Sequence, residues 1–185
     1  MVEGANEEKK LISRIVGGET QLFAKIVDAH KSRVAVCFKM LKDDLLAEEV
    51  GHETFVRLYK SLHKFKHESS LATYLTRIAM NLCLNKLEQI KRNQSRYVEL
   101  DDAPKNVYDT AKNIQTALGI KQTVERCLDV LKPEAKAVVV MRMIEGYSVK
   151  ETADILGMAE GTVMSKLSRA MEKMKEVLIK LNYNG

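Results

Sequence analysis

Thr162, Ser165, Lys166 and Arg169 stand three and four residues apart, so on a helix they share one face. Each ends in a group able to donate a hydrogen bond to a phosphate oxygen or a base edge, and Lys173 extends the stripe. Just upstream, Ser148-Val149-Lys150-Glu151 has the S-x-x-E form of a capping box, which starts a short helix ending at Leu156. Gly157-Met158-Ala159 then makes a tight turn, and a second helix begins near Glu160-Gly161 and continues to Leu178. Ala153, Gly157 and Val163 follow one another at four and six residues, with a small residue where two helices cross and a glycine at the turn. Together these features predict a helix-turn-helix that presents a polar second helix to DNA. The competing reading is an αα-hairpin whose charges only solvate its outer face.

A second concentration of functional groups lies between residues 60 and 96. Lys60, Lys64, Lys66, Arg77, Lys86, Lys91, Arg92 and Arg96 face only Glu68 and Glu88, a local balance of +6 against +5 for the whole chain. Positive charge is therefore concentrated in one block, with Asn81 and Asn85 four apart inside it, their amides able both to donate and to accept. Enzymatic readings find less support. His63 and His67 have H-x-x-x-H spacing beside Glu68, but no third metal ligand is well placed. Gly17-Gly18 lacks a following Gly-Lys-Ser/Thr, and the serines have no His/Asp context. The expectation is a protein without catalytic residues, metal or cofactor. Cys37, Cys83 and Cys127 are widely separated and read as reduced, buried structural thiols.

The elements that must position these groups are helical. The chain has 185 residues, 45% apolar and 30% charged, with 5% aromatics and no Trp, so its core is built from Leu, Ile, Val, Met and Ala. From about Ile12 to Ile90 the apolar residues keep helical spacing, with a break at His67-Glu68-Ser69-Ser70 where the serines offer an N-cap. The following helix is expected to end near Asn93. Residues 97–120 gather Glu99, Asp101, Asp102 and Asp109 around Pro104 and read as an acidic linker. Helical periodicity then resumes, with Pro133 suited to a first turn; the run Ala137-Val138-Val139-Val140 resembles a strand in isolation but sits inside the helical pattern. The predicted fold is all-α: two small helical domains, at 12–96 and 121–182, joined by a flexible linker. No apolar run is long enough to span a membrane and the first ten residues carry no leader-like apolar stretch, so a cytoplasmic protein without membrane insertion is expected.

Two blocks in this order resemble the two conserved domains of the extracytoplasmic-function group of the sigma-70 family, the promoter-recognition subunits of bacterial RNA polymerase. They are LAEEVGHETFVRLYKSLHKFKHESSLATYLTRIAMNLCLNKLEQIKR, residues 46–92, and LDVLKPEAKAVVVMRMIEGYSVKETADILGMAEGTVMSKLSRAMEKM, residues 128–174. The resemblance implies that Ala47 to Tyr59 docks on the clamp coiled coil of the polymerase largest subunit through Glu49, Val50, Glu53, Thr54 and Arg57. It implies that Phe65, Lys66, His67, Ser69 and Ser70 form a pocket for a flipped base of the minus-ten element, with Tyr74, Arg77, Asn81, Asn85 and Lys86 on the following helix. It further implies that Ser148 abuts the backbone of the minus-thirty-five duplex while Thr162, Ser165, Lys166 and Arg169 contact the major groove. The implied partners are core RNA polymerase, through its clamp and flap, promoter DNA and an anti-sigma factor. A DNA-binding regulator that does not associate with polymerase is the alternative; it explains the second block but leaves HETFVRLY and FKHESS unused.

The chain departs from the family pattern at several positions. Many relatives have Trp where Tyr74 stands, a basic residue at Met80, Ser or Pro at Ala159 and a basic residue at Met164. By this reading Met80 and Met164 each remove a cation from the DNA surface, and Ala159 forgoes an N-cap contribution of about 1 kcal/mol. The linker, about 24 residues long, reaches at most ~80 Å when extended, comparable with two turns of duplex, so two modules can occupy separate elements on one face of DNA. Each weak contact then raises the effective concentration of the other.

Overall fold

In a computed structural model, residues 2–98 and 117–183 are described. The described residues contain helices and no strands. They form α1 (Val2–Val16), α2 (Phe23–Val34), α3 (Val36–Met40), α4 (Asp44–Ser61), α5 (Leu71–Val98), α6 (Ala117–Asp129), α7 (Pro133–Val139), α8 (Val149–Leu156) and α9 (Glu160–Tyr183). Of the acidic linker expected at 97–120, residues 99–116, with all four of its acidic side chains, lie outside the described residues. Its edges, Tyr97–Val98 and Ala117–Ile120, are helical. By its contacts the chain divides into two compact units, Met1–Cys83 and Leu84–Gly185, and the division falls within α5.

In the first unit, α4 packs on both α2 and α3. Its start is fixed locally: the carboxylate of Asp43 accepts the backbone N–H of Leu46 at 3.0 Å, satisfying one orphan donor of the first turn. The inward face of α4 carries Ala47, Val50, Gly51, Thr54 and Leu58. Gly51 permits close approach to α2, since a Cβ there would lie 3.2 Å from Cγ1 of Val34. After α4 the chain makes a single 3-10 turn over Leu62–Lys64 and a short loop, and α5 restarts at a cap supplied by Ser70, whose Oγ accepts the N–H of Thr73 at 3.0 Å. Leu71, Leu75, Ala79, Met80 and Cys83 then face the core on the four- and three-residue rhythm of a helix.

The second unit is organised around α9, against which α6, α7 and α8 all pack. Pro133 occupies the first turn of α7, as its fixed φ and missing N–H favour. The apolar run at 137–140 is helical, with Ala137, Val138 and Val139 completing α7; a π-helical segment, Val140–Ile144, continues it and places Val140 and Met141 in the core. Burial, not strand pairing, is what this run of apolar residues serves. Lys136 is also buried, and its ammonium lies 3.6 Å from Asp129.

Candidate nucleic-acid interface

The capping box at the start of α8 forms as the sequence predicts. The N–H of Glu151 donates to Oγ of Ser148 at 3.1 Å, and the N–H of Ser148 donates to Oε2 of Glu151 at 2.8 Å. The Ser148 backbone N–H, and after it the hydroxyl, hold the Glu151 carboxyl below its ordinary value. Gly157 ends α8 in the left-handed region, with φ 64° and ψ 37°. Ala159 begins α9 through its backbone carbonyl alone, which accepts the N–H groups of Thr162 and Val163. Val138, Ala153 and Val163 form the core of the motif, with Val149, Leu156, Met158 and Leu167 around them. Two of the three residues whose spacing pointed to a helix-turn-helix thus supply the crossing contact, and the third supplies the turn.

On α9, Thr162, Ser165 and Arg169 are exposed, as is Ser148 at the start of α8. Ser165 donates to the carbonyl of Thr162 at 3.1 Å. Lys166 differs from its neighbours. Its ammonium is 2.6 Å from Oε2 of Glu134 in the first turn of α7, a partner 32 residues away that the local pattern could not show. Met164 is 61% exposed on the same helix.

In the first unit a cavity of about 500 Å³ opens between two helical stripes, Arg57, Lys60, Ser61 and Lys64 on one side and Tyr74, Ile78 and Asn81 on the other. Three cations thus lie along one wall, and an aromatic ring and an amide along the other. The Tyr74 hydroxyl donates to Oγ of Ser61 at 3.1 Å, and Ser61 in turn donates to the carbonyl of Arg57 at 2.8 Å. Phe65 stacks at the side of this wall, its ring centre 5.1 Å from that of Tyr74 and 4.6 Å from that of His67. His67 adopts a left-handed backbone conformation, φ 58°, in the bend of the loop. Lys66, His67 and Ser70 are exposed and Ser69 is half-buried. The cavity is lined chiefly by α4 and α5, and the Phe65–Ser70 loop, where the sequence puts the base pocket, stands beside it with the Phe65 ring against Tyr74. His63 lies in the 3-10 turn and His67 beyond it against Phe65, so the pair does not share the helix face that a metal-ligating reading requires.

The structure sorts the remaining residues by burial. Glu49 and Arg57 are exposed on α4 and Glu53 is half-buried, with Arg57 Nε 2.8 Å from Oε1 of Glu53. Val50 and Thr54 face inward: Val50 is buried, and Thr54 is fully buried with its hydroxyl on the Val50 carbonyl at 2.7 Å. Their side chains position the helix and do not reach a partner's surface. Met80 is likewise fully buried, so this position belongs to the core and the expectation of a cation missing from the DNA surface does not apply to it. Arg77 is half-buried, and its Nε is buried without a hydrogen-bond partner among the described residues. Asn81 is exposed at the cavity. Asn85, exposed, and Lys86, half-buried, lie further along α5 beyond Cys83. All three cysteines are buried. A hydrogen bond with Cys83 draws the Cys37 thiol below its ordinary value against the effect of burial, whereas burial raises that of Cys127.

Among the described residues the chain thus combines a cavity lined by three cations and Tyr74 in one helical unit with a helix-turn-helix in the other. Residues 26–93 match the family model of Sigma-70 region 2 and residues 121–174 that of Sigma-70, region 4, together about two thirds of the chain. The chain is 26% identical over 181 residues to the ECF RNA polymerase sigma factor SigW of Bacillus subtilis, covering 92% of this chain and 96% of that one. It is 28% identical over 178 residues to the ECF RNA polymerase sigma factor SigM of Mycobacterium tuberculosis, covering 95% and 86%. Among solved structures, it shares the fold of CnrH, determined in complex with the cytosolic domain of CnrY, with a TM-score of 0.64, 21% identity and coverage of 92% and 96%. The sigma factor RpoE of Bartonella quintana, determined with the anti-sigma factor NepR, gives a TM-score of 0.57 at 21% identity, with coverage of 86% and 95%. The chain belongs to the sigma-70 family, in its extracytoplasmic-function group.

Proposed function

We propose that this sigma factor binds core RNA polymerase and directs promoter-specific initiation by holding two promoter elements in two different physical states. The observation that carries this reading is the contrast between its surfaces. A cavity with Lys60 and Lys64 on one wall and Tyr74 and Asn81 on the other suits an unpaired nucleotide, its phosphate among the cations and its base against the ring. A helix-turn-helix with Thr162, Ser165 and Arg169 exposed on its second helix suits duplex DNA. In this reading residues 12–96 dock on the clamp through Glu49, Glu53 and Arg57 and capture the melted minus-ten element. Residues 121–182 read the minus-thirty-five element and meet the flap, and 97–120 connect the two.

A cytoplasmic location with the transcription machinery is part of this proposal and is supported by membership of the family. Among the described residues no helix is long and apolar enough to cross a membrane. An anti-sigma factor is a further proposed partner, in keeping with the complexes of CnrH and RpoE. The test is run-off transcription with purified core polymerase on a genomic fragment library. Discrete transcripts that require the chain are expected; duplex binding without a polymerase complex in a pull-down would instead identify a stand-alone regulator.

A further inference from the structure

Glu134 and Lys166 form a close ion pair between α7 and the recognition helix, and the pair lies at the surface, its side chains 55% and 31% exposed respectively. Glu134 follows Pro133 in the first turn of α7, where the unsatisfied N–H groups of the helix favour a carboxylate. Between residues 160 and 173 the recognition helix carries Lys166, Arg169 and Lys173 against Glu160 and Glu172, a balance of +1; Glu134 reduces it to zero.

We propose that Glu134 sets the strength and salt dependence of the duplex-reading surface, holding Lys166 on α7 and withdrawing a cation from sequence-blind attraction to phosphates. This rests on the reading of the second unit as a duplex binder. A lysine ammonium is a point charge that strengthens binding to any duplex, whereas the Arg169 fork and the hydroxyls of Thr162 and Ser165 depend on the groups a base edge offers. Pairing one lysine therefore lowers affinity for every duplex to a similar degree and leaves discrimination to Arg169 and the hydroxyls. Glu134 acts through Lys166 and is a positioning residue, not a DNA contact.

The experiment measures fluorescence anisotropy of the full chain with a duplex recovered from the run-off assay and a scrambled duplex, from 50 to 200 mM salt. Glu134→Gln is expected to steepen the slope of log affinity against log salt by about 0.9, the release of one further counterion. That corresponds to roughly a threefold gain at the low-salt end relative to the high-salt end, of similar size on both duplexes because the released cation attracts phosphates whatever the sequence. In a Lys166→Ala background the same substitution is expected to have no effect. Glu134→Asp, which keeps the charge and shortens its reach, should give an intermediate slope and guards against a folding defect in the glutamine variant. An unchanged slope in Glu134→Gln, or an effect that persists without Lys166, overturns the proposal while leaving the duplex reading intact. Failure of the wild-type chain to bind either duplex overturns both.

Discussion

The Tyr74 hydroxyl donates to Oγ of Ser61 across 3.1 Å and so ties α5 to α4 at the mouth of the basic cavity. A tryptophan, which the resemblance to the family leads one to expect here, has no hydroxyl; in this chain the bond orients the ring. Tyr74→Phe keeps the stacking face and is expected to cost about 1 kcal/mol of stability from the lost hydrogen bond. Tyr74→Ala should additionally lose about 1–3 kcal/mol of single-strand affinity. Thermal unfolding, and binding of a minus-ten oligonucleotide by the holoenzyme, separate the two effects.

Met80 and Met164 look alike in sequence and differ in space, the first fully buried and the second 61% exposed. Met80→Lys is expected to destabilise the first unit by several kcal/mol, because the ammonium would be buried without a partner. Met164→Arg should change stability by less than about 0.5 kcal/mol and steepen the salt dependence of duplex binding by about 0.9. Calorimetry and a salt titration provide the comparison.

Arg169 is exposed on the recognition helix of the second unit, whereas the polymerase-docking residues proposed on α4 belong to the first. Arg169→Ala should lower discrimination for the preferred duplex by about 1–3 kcal/mol, roughly 10- to 100-fold, with core polymerase association unchanged. Parallel gel-shift and pull-down measurements check it, and equal loss in both would indicate misfolding.

Glu151 gives the second unit a pH dependence of definite sign. Its carboxyl titrates below its ordinary value because it accepts from Ser148, so the folded state binds fewer protons than the unfolded chain in that range. The contribution of the capping box is complete above the ordinary carboxylate range and is lost as pH falls through the lowered value. Glu151→Gln removes this component. The expected result is a smaller fall in the melting temperature between neutral and acidic pH than in wild type, followed by circular dichroism.

Gly157 has φ 64° at the end of α8, and no atom lies within 4 Å of where a Cβ would stand. Gly157→Ala should therefore destabilise the helix-turn-helix by about 1–2 kcal/mol through backbone strain alone, without a clash. Gly157→Asn, which tolerates this region better, is expected to cost less. Chemical denaturation of the two variants distinguishes strain from packing.

What the sequence determined by itself is what the chain settles over short range. The Ser148–Glu151 box, the glycine turn at 157, the helix at 137–140 and the Ser70 cap each depend on residues within a few positions, where helical periodicity and backbone hydrogen bonding leave few alternatives. The family and its two-block order were legible for the same reason, since both reside in contiguous motifs. Tertiary structure alone decided which of the polar and basic positions face outward. Val50, Thr54 and Met80 are removed from any contact surface because their helix faces pack inward, and packing is set by neighbours far away in sequence. The α4–α5 cavity beside the loop was not legible in the sequence, because it exists only where Ser61 and Tyr74, 13 residues apart, meet. Lys166 left the group of available cations because Glu134, 32 residues earlier, comes within 2.6 Å once α7 lies against α9. Charge can be counted along a chain, but its availability to DNA depends on distances that only folding creates.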